Sequence, residues 1–385
     1  MYPRKIVLPT KQSFFLFGPR GVGKSTLIRS RFPEAKYIDL LDSRIYQKLL
    51  TDPGMLEEMI PPDWQEGIIL DEVQRVPELL NEVHRLIENK HWRFILTGSS
   101  ARKLRRQGVN LLAGRARTYR LHSLTAKELG NKFELEIALK YGMLPTVHNL
   151  QTAQERERYL YAYVETYLQE EIMQEGLTRN LANFARFLQI ASMSVGGVLN
   201  VSAVARESMV ERKVVENYFG ILEDLMLGVR VPVFRKRAKR ELIAKSKFYL
   251  FDTGVYQTLK PKGVLDTESE VSGAGLENLF LQNLLAEVAN SVKPFKVRYY
   301  RTVGGSEVDF VVYGDQGLWA FEIKNGRKFR REWLRGLKRF GQDYPEAKRY
   351  VLYTGKEHLY IGKIEVVPIE EFLRGKLADV LGVKR

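Results

Sequence analysis

The chain contains no cysteine. That absence excludes disulfides, a thiolate nucleophile and Cys-ligated zinc or iron–sulfur centres. Histidine is also sparse. The five, at positions 84, 91, 122, 148 and 358, stand apart without ligand spacing, which argues against a His-rich metal site. No apolar run reaches the length needed to span a bilayer, and the start Met1-Tyr2-Pro3-Arg4-Lys5 lacks the long apolar core of a signal peptide. A cytoplasmic protein with no membrane partner is therefore expected. With 44% hydrophobic and 28% charged residues, disorder is excluded as the dominant state. A length of 385 residues suggests two or three domains.

Acidic residues are missing from whole stretches. Residues 101–120 hold seven basic side chains and no acid, residues 230–247 hold eight against Glu241, and residues 324–349 hold ten against three. The formal charge of +15 is thus clustered, and phosphate-rich partners, nucleic acid among them, are the natural inference. Solvated surface, or the charge-rich style of proteins from hot environments, is the competing explanation.

What is present begins with an apolar run, Phe14 to Phe17, that empties into Gly18-Pro19-Arg20-Gly21-Val22-Gly23-Lys24-Ser25-Thr26 and then a helical stretch. Strand, G-x-x-x-x-G-K-S loop and helix define a P-loop for a nucleoside triphosphate. The glycines let successive N–H groups face an anion, and the following helix adds its positive end. Lys24 would reach the β- and γ-phosphates, and Ser25 would ligate Mg²⁺.

A second strand is expected over 35–40, a helix over 43–60, and a third strand over 67–72 ending in Asp71-Glu72. Ligands gather at the carboxyl ends of buried parallel strands. Asp71 is placed to hold Mg²⁺ and Glu72 to act as general base toward water. The i, i+3, i+4, i+7 spacing of Val76, Leu79, Leu80 and Val83 predicts a helix over 76–89 with Pro77 in its first turn. A strand over 92–100 ends in hydroxyls that include Thr97 and Ser99; either suits a γ-phosphate sensor, or a helix cap near Ser100.

These motifs are similar to those of the AAA+ ATPases, in particular archaeal and bacterial predicted ATPases that read DE-x-Q-x-x-P after the second acidic motif. The matching segments are Asp71-Glu72-Val73-Gln74-Arg75-Val76-Pro77, Leu96-Thr97-Gly98-Ser99-Ser100-Ala101 and Leu112-Ala113-Gly114-Arg115-Ala116. The resemblance implies ATP as the nucleotide; the P-loop by itself leaves GTP open. It also implies an oligomer in which an arginine from a neighbouring subunit completes the site, and Arg115 and Arg117 are the candidates. Surface or phosphate-binding arginines are the alternative. Helices expected over 123–175, opening at a cap on Ser123, occupy the position of an AAA+ helical lid.

In the middle, two short helices around 199–207 and 211–225 precede strand-like 229–234 and 248–252. Helix, turn, helix and hairpin resemble a winged helix, with Arg212 and Lys213 opening the second helix and Arg235, Lys236, Arg237, Lys239 and Arg240 on the wing. Such modules also bind proteins.

The last third offers a helix from Gly275 carrying Glu277, a strand over 297–301, and a hairpin of 307–313 with 318–324. Asp309 and Glu322 lie on adjacent strands, and Glu322 and Lys324 share a face. Together they form the pattern of the PD-(D/E)xK nuclease-like fold, in which Glu277, Asp309 and Glu322 would hold Mg²⁺ and Lys324 would activate water. The resembled ATPase family ends in such a domain, so the resemblance covers nearly the whole chain. Many domains of this fold have lost cleavage and serve as binding modules. The expected architecture is α/β: P-loop core 1–122, helical lid 123–178, winged helix 179–260 and nuclease-like domain 261–385. The expected function is Mg²⁺-dependent ATP hydrolysis coupled to DNA binding, with or without cleavage. The alternative is an ATP-dependent regulatory or defence switch.

Overall fold

The computed structural model describes residues 2–102, 104, 112, 114–168, 180–235, 245–261, 268–291 and 293–383. They divide into two compact units: Ile6–His122 with Asp224–Met226, and Met1–Lys5 with Ser123–Glu223 and Leu227–Arg385.

The first unit is built on a five-stranded sheet in the order β2-β3-β4-β1-β5, with β1 Ser13–Phe17, β2 Lys36–Asp39, β3 Ile68–Asp71, β4 Phe94–Gly98 and β5 Ala116–Arg120. All its pairings are parallel. Parallel sheets are covered on both faces, which explains why β1, β3 and β4 are apolar runs without alternation and wholly buried. Edge strand β5 is largely exposed and accordingly reads Ala-Arg-Thr-Tyr-Arg. Helix Lys24–Arg31 follows the loop after β1. The helix expected over 43–60 is two helices, Ser43–Thr51 and Met55–Glu58, because Asp52-Pro53-Gly54 turns the chain between them. The helix expected from Val76 begins at Leu79, after a 3₁₀ turn at Val73–Arg75, so Pro77 precedes it.

The second unit opens with short helices. Ala126–Leu129 is capped by Thr125, not Ser123: the Thr125 hydroxyl accepts from the Glu128 N–H while the Glu128 carboxylate reaches back to the Thr125 N–H. Leu135–Tyr141 and Ala153–Ala162 follow. Three further helices, Leu181–Met193, Val201–Ser208 and Arg212–Asp224, precede the antiparallel pair β6 Gly228–Val231 and β7 Lys247–Leu250. Asn180 and Asn200 cap the first two, and Met209 at φ 53 makes the tight turn into the third. Phe184, Phe187, Tyr218, Phe219 and Phe248 interlock edge to face or tilted in the core of this segment.

Helix Glu268–Ala289 leads into a six-stranded mixed sheet, β12-β13-β11-β10-β9-β8. Its strands are β8 Phe295–Arg301, β9 Glu307–Gly314, β10 Gly317–Lys324, β11 Lys348–Tyr353, β12 Leu359–Ile361 and β13 Ile364–Pro368. The expected hairpin is present as β9 and β10, paired from Gly314↔Gly317 to Phe310↔Phe321. Strands β10, β11 and β13 run parallel. Helix Arg335–Asp343 buries Leu337 and Phe340 on this sheet, with Phe329 and Trp333 against the same core. The apolar residues at 329, 333, 337 and 340 are therefore a packed face. Gly336 is where this helix meets β9: a Cβ there would lie 1.7 Å from the Glu307 carbonyl oxygen.

Candidate functional site

In the first unit β1 and β3 flank β4, so the loop after β1 and the carboxylates after β3 open on one edge of a parallel sheet. The loop has the backbone its glycines allow. Gly21 and Gly23 take φ of 80 and 91, in the left-handed region, and Gly23 caps the helix with no side chain in the way. A Cβ at Gly18 would fall 2.3 Å from the Leu121 carbonyl oxygen, so only glycine passes there. Pro19 and Val22 are buried, Ser25 is half-buried, and Arg20 and Thr26 are exposed. Lys24 is buried and its ammonium donates to the Gly18 oxygen at 2.7 Å and the Pro19 oxygen at 3.2 Å. It thus folds back over the loop whose anion it would contact. This cradle fits a phosphate chain.

Asp71 is 3% exposed at the end of β3. Its two carboxylate oxygens accept from two hydroxyls: Tyr37 on β2 donates to Oδ2 and Thr97 on β4 to Oδ1. Burial, then the bond to Asp71, raises the Tyr37 phenol above its usual range, so it remains a donor. Arg29 lies 4.0 Å over the Tyr37 ring. Glu72 sits at φ 61, ψ 45, a left-handed conformation that costs a non-glycine residue on the order of 1–2 kcal/mol. The Gln74 amide donates to Glu72 Oε2 at 2.5 Å and to Ser99 Oγ at 3.4 Å. Carboxylate oxygens such as those of Asp71 and a hydroxyl such as that of Ser25 are the hard donors Mg²⁺ prefers. Ser99 is tied to Gln74, and the Ser100 hydroxyl accepts from the Arg102 N–H, so Thr97 is the hydroxyl held on Asp71.

Arg115 and Arg117 are elsewhere. Arg117 pairs in register with Phe14, at the amino end of β1, about 10 Å of strand from the level of the loop. Arg115 pairs with Glu88, and both arginines are exposed. They are not brought to the P-loop of their own chain. Ala113 of the neighbouring motif lies outside the described residues.

A second constellation lies in the second unit. Asp309 on β9, Glu322 and Lys324 on β10 and Glu277 on helix Glu268–Ala289 come together as expected, with Glu307 beside them. Lys324 Nζ lies 2.6 Å from Glu322 Oε1 and 3.8 Å from Asp309 Oδ2. Two residues of β7 that the sequence did not single out complete the group. Lys247 Nζ stands 2.6 Å from Glu307 Oε1, 3.4 Å from Asp309 Oδ1 and 3.5 Å from Glu277 Oε2. The Tyr249 hydroxyl donates to Glu277 Oε2 at 2.7 Å. Their signal was the i, i+2 spacing of Lys247 and Tyr249, the same one-face relation as Glu322 and Lys324.

Burial and the Asp309 charge push the Glu277 carboxyl up to about 7 and Glu322 up to about 8. Burial alone would lower Lys247, but Tyr249, Glu277, Asp309 and Glu307 outweigh it and raise it well above its usual value. Glu322 Oε2 is buried without a partner. Among the described residues no group of three or more His, Asp or Glu side chains is arranged to hold a metal ion. The carboxylates are hard donors, yet an ammonium stands between three of them, so the cluster as built does not fit a divalent cation.

On the helix pair of the middle segment Arg212 and Lys213 are exposed, as is Arg235. Lys236, Arg237, Lys239 and Arg240 lie outside the described residues. Among those described, no helix is long and apolar enough to cross a membrane.

Residues 10–130 match the model of an AAA domain. Residues 132–268 and 272–372 each match a domain of unknown function, DUF8612 and DUF4143 respectively. The AAA match supports a nucleotide-binding P-loop ATPase in the first unit. No curated protein matches. Among solved structures, the Aeropyrum pernix ORC1 protein in complex with DNA is 13% identical, with 64% of this chain and 86% of that chain covered and a TM-score of 0.30. A STAND protein with a tetratricopeptide repeat sensor from Pyrococcus horikoshii is 14% identical over 75% and 48% of the chains, TM-score 0.21. Protein VC1899 from Vibrio cholerae is 10% identical over 96% and 98%, TM-score 0.20. At these values the structural likenesses carry no argument.

Proposed function

We propose that the chain is a Mg²⁺-dependent AAA+ ATPase that binds DNA and couples the two. The observation that supports hydrolysis most directly is Asp71, buried between the Tyr37 and Thr97 hydroxyls on the edge where Lys24 closes the P-loop. Lys24 exchanges its two loop carbonyls for phosphate oxygens, and the loop N–H groups and helix dipole spread over the same anion. Ser25 and Asp71 would hold Mg²⁺, which when bound neutralises charge on the phosphate oxygens. Glu72 accepts a proton from water once its oxygen is free of the Gln74 amide.

DNA binding is supported by two helices joined at Met209, with exposed Arg212 and Lys213 opening the second, and by the basic segment that follows β6. In this reading Arg115 and Arg117, which lie away from the P-loop of their own chain, serve the site of a neighbouring copy in a homo-oligomer. Steady-state ATP hydrolysis with and without duplex DNA tests the reading. DNA should stimulate turnover, Lys24→Ala should abolish it, and Arg212→Ala/Lys213→Ala should lose the stimulation while keeping basal turnover. DNA that neither binds nor stimulates would refute the coupling.

A further inference from the structure

We infer that Lys247 is the resident cation of the C-terminal acidic cluster, and that this cluster ties the sheet to β7 and does not cleave phosphodiesters. Its ammonium stands among carboxylates from two elements: Glu277 from the helix, Glu307 and Asp309 from β9. Magnesium bonds oxygen at about 2.0–2.1 Å in an octahedron and keeps several waters. No such ion shares a point with an ammonium 2.6–3.5 Å from the same oxygens.

Neighbouring groups engage oxygens of the cluster as well. Asp309 Oδ2 accepts from the Ile323 N–H at 2.8 Å, Glu277 Oε2 from Tyr249, and Glu322 Oε1 faces Lys324. Arg301 Nη1 lies 3.2 Å from Glu307 Oε2. Glu322 Oε2 is buried without a partner, but Lys324 holds the other oxygen of that carboxylate.

Lys247 is not on an element that swings away. It is 2% exposed, its strand pairs with β6 from Val231↔Lys247 to Gly228↔Leu250, and a bridge to Val198 holds its backbone from the other side. The next residue, Phe248, is locked against Phe219. The ammonium is therefore a fixed part of the fold, and it supplies the countercharge that the pattern of Glu277, Asp309, Glu322 and Lys324 assigned to Mg²⁺.

The test is Mn²⁺ uptake by the full chain, freed of nucleotide and metal, followed by the loss of the free-ion electron paramagnetic resonance signal and by thermal shift. Wild type and Asp309→Asn should take up Mn²⁺ equally, any shared uptake belonging to other sites. Lys247→Met should gain an ion at least tenfold tighter than any in wild type, and Asp309→Asn in that background should lose it. Wild-type uptake that Asp309→Asn abolishes would overturn the inference, and so would a folded Lys247→Met that gains nothing. If Lys247→Met fails to fold, the comparison of wild type with Asp309→Asn decides. Incubation of wild type with Mn²⁺ and duplex, branched or single-stranded DNA should give no cleavage that depends on Asp309 or Lys324.

Discussion

Removing the Tyr37 hydroxyl should cripple the ATPase without removing any residue that touches nucleotide. Asp71 is buried with one hydroxyl on each oxygen. A hydrogen bond to a charged group contributes about 1.5–3 kcal/mol, and the carboxylate cannot recover that from water at this depth. Tyr37→Phe leaves Oδ1 on Thr97 and frees Oδ2, so the carboxylate loses its fixed plane. At about 1.4 kcal/mol per decade, turnover should fall roughly 10- to 100-fold. The Mg²⁺ concentration for half-maximal turnover should rise about tenfold for the same reason. Binding of a fluorescent ATP analogue without Mg²⁺ should be unchanged, because Lys24 and the loop are untouched. Steady-state hydrolysis at a series of Mg²⁺ concentrations measures both. A Tyr37→Phe protein with wild-type turnover and wild-type Mg²⁺ dependence would show that Asp71 needs no orientation from β2 and would refute the role given to its two hydroxyls.

Two further outcomes are expected. Burial, with help from the Arg156 charge and against the Gly142 carbonyl bond, lowers the His148 imidazole to about 4, so it is neutral in the fold. The unfolded chain takes up this proton near pH 6.5 and the folded one only near 4. Its contribution is therefore present above about pH 6.5 and fades as the pH falls, reaching roughly 3 kcal/mol of lost stability by pH 4. His148→Gln should flatten the chemical-denaturation stability of wild type across that window by about this amount, and identical slopes would refute it. For the arginines, Arg115→Ala/Arg117→Ala protein should bind ATP and not turn it over. Mixing it with Lys24→Ala protein should restore a fraction of the activity; mixtures that stay inactive would rule out a shared site.

The ATPase half was legible because its signals are local. A glycine loop between strand and helix, and two acids ending an apolar strand, fix their own surroundings, and the structure sets Lys24 and Asp71 on one sheet edge. Tyr37 and Gln74 were not legible as partners of Asp71 and Glu72, since only the packing of β2 beside β3 and the turn after β3 bring them there. Local competition explains the smaller errors. Asp52-Pro53-Gly54 breaks a helix that periodicity alone would continue, and Thr125 outcompetes Ser123 as a cap because Glu128 lies three residues beyond it. In the C-terminal sheet, Asp309, Glu322 and Lys324 were placed by strand alternation. Lys247 looked like one more charge in a basic stretch; its i, i+2 spacing to Tyr249 marks a shared face but not burial against residues 30 to 62 positions away.

Lys247 also bears on how this polypeptide can be divided. Residues 132–268 and 272–372 match separate families, which invites the view that they are modules with independent stability. Yet a break near residue 270 would leave a buried ammonium on one fragment and its acids on the other. Severing such a pair typically costs about 3–5 kcal/mol, a large share of what holds a domain folded. The Leu250 N–H would lose the Asn278 side chain, and the Ala126 N–H that of Asn283. The two segments fall in one compact unit and share these contacts, so neither should be expected to persist as an autonomous piece.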